Sequence, residues 1–272
     1  MLRLFRLVGR LPLHWLQAIG RRLGRLIYRL SSEYRRKLDA NLVRAGYSPD
    51  RIGPAAAAEA GRMVGELPYV WFRPLREVVA RVVCDEQQVL ERAEQAGRGI
   101  LFLTPHLGAF EVTARFYALR APITVLFKPP RKGLLAPVLA AARNVQGLRS
   151  APANFGGLRS LLRSLKAGEA IGLLPDQVPT DGDGQWTEFF GTPAYTMTLP
   201  QKLVELTGAA VVLAVGERLA DGQGWRLHLR PMTEAPTPLA LNRAMEALIR
   251  DFPAQYLWGY NRYKRPPGIA PP

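Results

Sequence analysis

Gly99-Ile-Leu-Phe-Leu-Thr-Pro-His106 decides how the rest of the chain is read. A short apolar run, entered from a glycine and closed by Thr-Pro, is the pattern of a strand buried on both faces. The same signature returns at residues 123–127, 170–174 and 210–215. Helical patterns lie between these runs. In the clearest, Leu158, Leu161, Leu162 and Leu165 recur at i, i+3, i+4 and i+7, Arg159, Arg163 and Lys166 occupy other faces, and Gly168 is a stop signal. Strands alternating with helices predict an α/β fold with a largely parallel central sheet flanked by helices. Residues 225–230 alternate apolar with basic and predict a later, half-exposed strand. That pattern puts His228 on its polar face, between Arg226 and Arg230, as a solvated histidine.

Upstream of Gly99 the pattern is helical. Residues 86–96 form one expected helix, stopped by Gly97, and residues 55–72 another, ended before Pro74. Residues 46–54, punctuated by Gly, Pro and Asp, read as a loop. Residues 1–45 are basic and helical, and are taken as an N-terminal segment preceding an α/β domain over 46–272. Arg3, Arg6, Arg10, Arg21, Arg22, Arg25 and Arg29 interrupt a series of Leu, Ile, Phe and Trp residues. The longest uncharged run there, residues 11–20, holds Pro12 and His14 and is too short to cross a bilayer. No small-residue cleavage site precedes Arg21-Arg22, so a signal peptide is not expected. Arginines interleaved with bulky apolar residues predict a helix lying in an anionic membrane interface, His14 included. The ordinary alternative is an amphipathic helix packed on the core.

The charge balance is compatible with the membrane reading and does not by itself choose it. With 37 Lys and Arg against 22 Asp and Glu, the formal charge is +15, which suits polyanionic partners: anionic lipid, nucleic acid, or an acidic carrier protein. No nucleic-acid-binding module is legible, and no nucleic-acid partner is expected. Cys84 is the single cysteine, which excludes an internal disulfide and a thiolate metal cluster. The three histidines lack metal-ligand spacing, so neither a metal nor a cofactor is expected.

His106 stands just beyond the C-terminal end of a buried strand, where open α/β sheets collect ligands and catalytic groups. Glu111 follows five residues later. A continuous helix would hold the two off a common face. A turn at His106-Leu107-Gly108 could instead bring the carboxylate back to the imidazole, fixing its tautomer for general-base work. The plainer reading is a strand-end histidine capping the next helix, with Glu111 solvated in its first turn. A second strand tip strengthens the first reading, because residues 170–174 run directly into Pro175-Asp176-Gln177. Two polar tips on one sheet edge make a site.

Taken together, Thr104-Pro-His-Leu-Gly-Ala-Phe-Glu111, Leu173-Leu-Pro-Asp-Gln177, Glu188-Phe-Phe-Gly-Thr-Pro193, Gln255-Tyr-Leu-Trp258 and Arg262-Tyr-Lys264 resemble the bacterial lipid A biosynthesis (late) acyltransferase family. That family belongs to the wider lysophospholipid and glycerolipid acyltransferases. The resemblance runs from about Arg36 and Asn41 to Pro266. It implies O-acyl transfer from an acyl-carrier-protein or CoA thioester to a hydroxyl of a lipid A precursor, at the cytoplasmic face of the bacterial inner membrane. The family's His-x4-Asp/Glu dyad maps onto His106 and Glu111. Its basic positions fall on Lys128 and Arg143, its acidic loop on Asp176 and Gln177, and its aromatic turn on Phe189-Phe190-Gly191; the four polar residues are expected to bind substrate.

The chain is short for the family and has no clear N-terminal transmembrane helix, so a peripheral or monotopic attachment is expected. Related branches acylate phospholipids, ornithine lipids or glycolipids, and those acceptors stay open. From another class, a non-enzymatic basic membrane- or nucleic-acid-binding protein accounts for the charge but not for the two strand tips. Acyl transfer from thioester to alcohol needs a base and oxyanion donors, not an enzyme nucleophile. Consistently, the chain has no G-x-S-x-G elbow, and Cys84 lies outside both tips.

Overall fold

The structure, a computed structural model, describes residues 1–127, 136–143, 145–179 and 182–272. The first part of the chain is helical: α1 (Leu2–Val8), α2 (Leu13–Leu30), α3 (Ser32–Arg44), α4 (Pro49–Phe72) and α5 (Leu75–Val79). A short strand β1 (Val82–Val83) and α6 (Gln87–Gln95) lead into β2 (Ile100–Leu103), α7 (Phe110–Ala118) and β3 (Ile123–Phe127). Then come α8 (Ala136–Ala142), β4 (Leu148–Pro152), α9 (Phe155–Lys166) and β5 (Ala170–Leu173). A hairpin of β6 (Gly184–Phe189) and β7 (Thr192–Met197) precedes α10 (Leu199–Thr207). The last elements are β8 (Ala210–Arg218), β9 (Trp225–Met232) and α11 (Pro238–Asp251).

Among the described residues, seven strands form one sheet in the order β1-β9-β8-β2-β5-β3-β4. β8, β2, β5, β3 and β4 run parallel, while β9 is antiparallel to β8 and reverses the edge. The continuous apolar runs are the inner strands because layers cover both faces of the sheet. Leu101 and Leu103 face a core shared with α3, α4, α9, α10 and α11. Ile100 and Phe102 face a second core with α6 and α7. The expected parallel α/β architecture is therefore present, and four inner strands lie where the sequence places them.

Helix α2 is seated on α4 by its small residues. A Cβ on Gly20 would come within 2.2 Å of the Gly61 carbonyl oxygen, and one on Gly61 within 2.1 Å of the Gly20 oxygen. Gly24 against Ala57 and Gly65 against Leu16 continue this contact along the pair. Because the small face packs inward, the bulky face is left out. Trp15, Ile19, Leu23, Leu26, Ile27 and Leu30 are exposed, as are Leu4, Leu7 and Leu11 on and just after α1. No helix among the described residues is long and apolar enough to cross a membrane.

The expected loop over 46–54 is a departure. α4 begins at Pro49, in the first turn, where a missing N–H is tolerated. Pro54 lies inside the helix, yet burial of Ala56, Ala57 and Ala58 against the rest of the protein outweighs the one bond it removes. His228 departs too. It stands on the half-exposed face of β9 as expected, but its Nε2 meets Glu217 at 2.9 Å and its ring lies over Phe252.

Candidate active site

The two polar strand tips meet because β2 and β5 are hydrogen-bonded neighbours in parallel, with Leu103 opposite Leu173. His106 and Asp176 each follow three residues after that pair, so they emerge in step from one sheet edge. Asp176 is 2% exposed and holds His106 by two bonds. The His106 main-chain N–H donates to Oδ2 at 3.0 Å, and ring Nδ1 lies 2.8 Å from Oδ1. Burial, the largest single influence, pushes the Asp176 carboxyl up, but the charge and hydrogen bonds of His106 together hold it below its ordinary value. An ionised carboxylate accepts only, so Nδ1 carries the proton and donates. In the neutral ring Nε2 is then the lone-pair nitrogen, 3.1 Å from the Gln177 side-chain amide nitrogen, which can donate to it. Tyr256 lies beside Asp176. Burial and then the Asp176 charge push its phenol well above the ordinary value, so it stays protonated as a donor.

The main chain from His106 to Ala109 is held at almost every polar group. His106 O accepts from Leu257 N–H at 3.1 Å, Gly108 N–H donates to Gln255 O at 3.0 Å, and Ala109 N–H donates to Gly216 O at 2.7 Å. Gly108 adopts φ +58°, and a Cβ there would lie 2.1 Å from Gly216 O, so both conformation and space require glycine. This turn feeds α7 and sets Glu111 in its first turn.

Glu111 does not take the imidazole as expected. Nδ1 is occupied by Asp176, and the Glu111 carboxylate meets two arginines instead. Arg115 donates to Oε2 at 3.0 Å and Arg143 approaches Oε1 at 3.5 Å. The reason is helical geometry: Glu111 and Arg115, four apart, share one face of α7, whereas His106 precedes the helix on the far side of a turn. Arg115 is 1% exposed and also donates to Ala142 O. Arg143 stacks over the Phe127 ring, 4.1 Å from its centroid.

His106, Glu111, Arg143 and Gln177 open into one cavity of about 710 Å³. Its walls are mainly apolar, from Phe110, Leu126, Phe127, Leu158, Leu173 and Met197 among others, with Phe155 and Lys202 at an exposed margin. Lys128 lies outside the described residues. Phe190 and Gly191 form the turn between β6 and β7 as expected, and both phenylalanines are buried in the core. Phe189 packs on Arg262 and Tyr263, and Phe190 on Trp258 and Arg250. Arg115 and Tyr256 escaped the sequence reading. Arg115 had a visible signal in its i, i+4 spacing from Glu111, and Tyr256 stood within the stretch Gln255-Tyr-Leu-Trp258 but was given no role at the site.

A buried carboxylate on an imidazole, at the mouth of an apolar cavity, is an arrangement that can serve general-base chemistry beside a slot with room for an apolar chain. Comparison with known proteins shows the family. The family model described as bacterial lipid A biosynthesis acyltransferase matches residues 1–265. The chain is 29% identical over 216 residues to the lipid A biosynthesis palmitoleoyltransferase of Escherichia coli K12, covering 76% of this chain and 69% of that protein. It is 26% identical over 215 residues to the lauroyltransferase of the same organism, covering 75% and 69%. With the E. coli myristoyltransferase it shares 24% identity over 269 residues, covering 92% and 82%. The chain belongs to the bacterial lipid A biosynthesis acyltransferase family.

Proposed function

We propose that this O-acyltransferase moves a fatty acyl group from an acyl-carrier-protein or CoA thioester to a hydroxyl of a lipid A precursor, with His106 as general base and Asp176 as the carboxylate that orients it. The contact between His106 Nδ1 and Asp176 Oδ1, at the edge of the apolar cavity, carries this reading. The acceptor hydroxyl takes the place of the Gln177 amide at Nε2 and gives up its proton there. Its oxygen attacks the thioester carbonyl, and the tetrahedral intermediate collapses to the ester. The departing thiolate takes the proton back from the imidazolium. The displaced Gln177 amide is then free to donate to the oxyanion.

Glu111 keeps a part in this reading through its arginines. It holds Arg143 beside the cavity, where the guanidinium suits a phosphate of donor or acceptor. Lys128, one residue beyond β3, is proposed for the same duty. Cys84 takes no part: burial pushes its thiol up, away from a nucleophilic thiolate.

The N-terminal face is proposed as the attachment to the cytoplasmic leaflet of the inner membrane. The outward apolar stripe of α1 and α2 supports this, flanked by exposed Arg3, Arg10, Arg21, Arg22, Arg25 and Arg29. The test is acyl transfer by purified wild type and His106→Ala, with acyl-carrier-protein and CoA thioesters against a panel of lipid A precursor, phospholipid and ornithine lipid. Transfer to the lipid A precursor that His106→Ala abolishes is the expected result. A folded His106→Ala that keeps the wild-type rate would refute the mechanism, and preference for another lipid would reassign the acceptor.

A further inference from the structure

Arg218, at the end of β8, is buried with a side-chain exposure of 0%, and it touches none of the cavity groups just described. Its guanidinium is used at four points. Nε and one terminal nitrogen form a fork on Glu66 at 2.9 and 2.8 Å, and the other terminal nitrogen reaches Glu59 at 3.0 Å. The fork's terminal nitrogen also donates to the Gly108 carbonyl oxygen at 3.1 Å. Arg218's own main chain is gripped by the Gln255 side chain, which accepts from its N–H at 2.9 Å and donates to its carbonyl at 3.1 Å. The main-chain carbonyl of Gln255 in turn accepts from Gly108 N–H. Arg218 therefore reaches both polar atoms of Gly108, one directly and one through Gln255.

Glu66 is 1% exposed and carries more than this one partner. The amide of Gln17, on α2, donates to it at 2.7 Å, and the Trp225 indole N–H lies 3.3 Å away. Removing these charges from water is costly, and a buried pair contributes little net stability compared with apolar side chains of the same volume. What it does supply is direction, since a planar fork accepts its partners in one geometry only. The helix pair α2–α4 and the turn after His106 are thus held to one guanidinium.

We propose that Arg218, held by Glu66, is a positioning residue for the turn that carries His106, acting on turnover rather than on substrate binding. The proposal rests on His106 being the base. With Arg218 in place, the Gly108 carbonyl is anchored and the imidazole stays in line with Asp176 and the cavity. Without it, Gly108 loses this charged anchor and the turn samples positions in which Nε2 is misaimed. Misplacement of a reacting group by about 1 Å is enough to slow a reaction on the order of 100-fold.

Arg218→Lys keeps the charge but cannot span Glu66, Glu59 and Gly108 together. Glu66→Gln keeps the shape and weakens the fork, and serves in its place should the lysine variant not fold. Arg62→Lys is the reference. Arg62 belongs to the same cluster, bonding Glu59, Gln17 and the Leu219 carbonyl, but does not touch the turn. The full-length proteins are compared by steady-state acyl transfer, thermal unfolding and amide hydrogen exchange over residues 106–109. Expected for Arg218→Lys and Glu66→Gln is a kcat loss on the order of 10- to 100-fold, with KM within about twofold and faster exchange in the turn. Arg62→Lys should lower the unfolding temperature while leaving kcat within about twofold and the turn protected. Folded Arg218→Lys or Glu66→Gln with the kcat and exchange of Arg62→Lys would overturn the proposal. His106→Ala, run alongside, separates the two claims: if it retains activity the choice of base fails, while the exchange measurement still judges Arg218.

Discussion

Asp176 holds His106 twice, with Oδ1 2.8 Å from the ring nitrogen Nδ1 and Oδ2 3.0 Å from the main-chain nitrogen. One carboxylate thereby sets both the tautomer of the imidazole and the place where the chain leaves β2. Orientation and tautomer are locked together, which is what a general base needs before substrate arrives.

Asp176→Asn tests that coupling. The amide is nearly the same size but can favour the opposite imidazole tautomer, so turnover should fall by ~10²–10⁴ with the fold retained. Adding His106→Ala should cost scarcely more than His106→Ala alone, since groups that act as a unit lose activity non-additively. Initial rates at saturating acceptor, beside thermal unfolding of each variant, decide the matter. Multiplying losses would mean independent roles.

Stability should depend on pH through the same group. The Asp176 carboxyl is held below its ordinary value of 3.8, because the His106 interactions together outweigh the opposing effect of burial. A carboxyl depressed in the folded state contributes stability that is present above its unfolded value and is lost as pH falls through its folded value. The stability difference between wild type and Asp176→Asn should thus be larger at about pH 5 than at about pH 3. Denaturant unfolding of both proteins across that range measures it, and a gap that widens in acid would contradict the sign.

Glu111→Ala should behave differently from Asp176→Asn. It strips the carboxylate from Arg115, whose side chain is 2% exposed, and leaves a buried cation with the uncharged main-chain carbonyls of Ala142 and residue 111 as acceptors. Breaking a buried pair in this way costs about 3 kcal/mol, or roughly 10 °C in unfolding temperature for a chain of this size. At a temperature where the variant stays folded, its kcat should fall less than that of Asp176→Asn, while KM rises as Arg143 loses its tether. Equal kcat losses with unchanged stability would instead return Glu111 to the imidazole.

The outward stripe of α2 gives a separate prediction. Ile19→Asp and Leu23→Asp, both at positions about half exposed, should leave thermal stability unchanged and weaken flotation with anionic vesicles. Added salt should reduce binding of the wild type without abolishing it, because the arginine contribution is screened and the apolar one is not. Undiminished flotation of the double variant would move the membrane contact elsewhere. Gly61→Val should do the reverse, destabilising the seat of α2 through the close carbonyl of Gly20.

Much of this protein could be read locally. β2, β3, β5 and β8 announced themselves because parallel strands covered on both faces need unbroken apolar runs. The helix over Leu158–Leu165 was visible because one face is leucine and the others are charged. β4 (Leu148–Pro152) was not legible: its Arg149 and Ser150 face outward at the sheet edge, and its pairing with β3 supplies the order that its composition does not. The start of α4 was hidden by Pro49 and Pro54, which mark a loop until α2 packs against that helix.

The sequence by itself determined the α/β class, the two polar strand tips and the family, because each is written in contiguous residues. It also placed His106 at a strand end and set Glu111 within helical reach of Arg115. Only the tertiary structure decided which carboxylate the imidazole would meet. Glu111 is five residues away along the chain and Asp176 seventy, yet the parallel pairing of Leu103 with Leu173 brings the distant one into contact. Arg218 is the extreme case: in the sequence it ends an apolar strand, and its work depends on Glu59 and Glu66 of α4, Gly108 and Gln255 converging from three separate segments. Local pattern specifies which faces are buried; the register of distant strands, fixed only when both sheet faces are covered, specifies which polar groups meet at the edge.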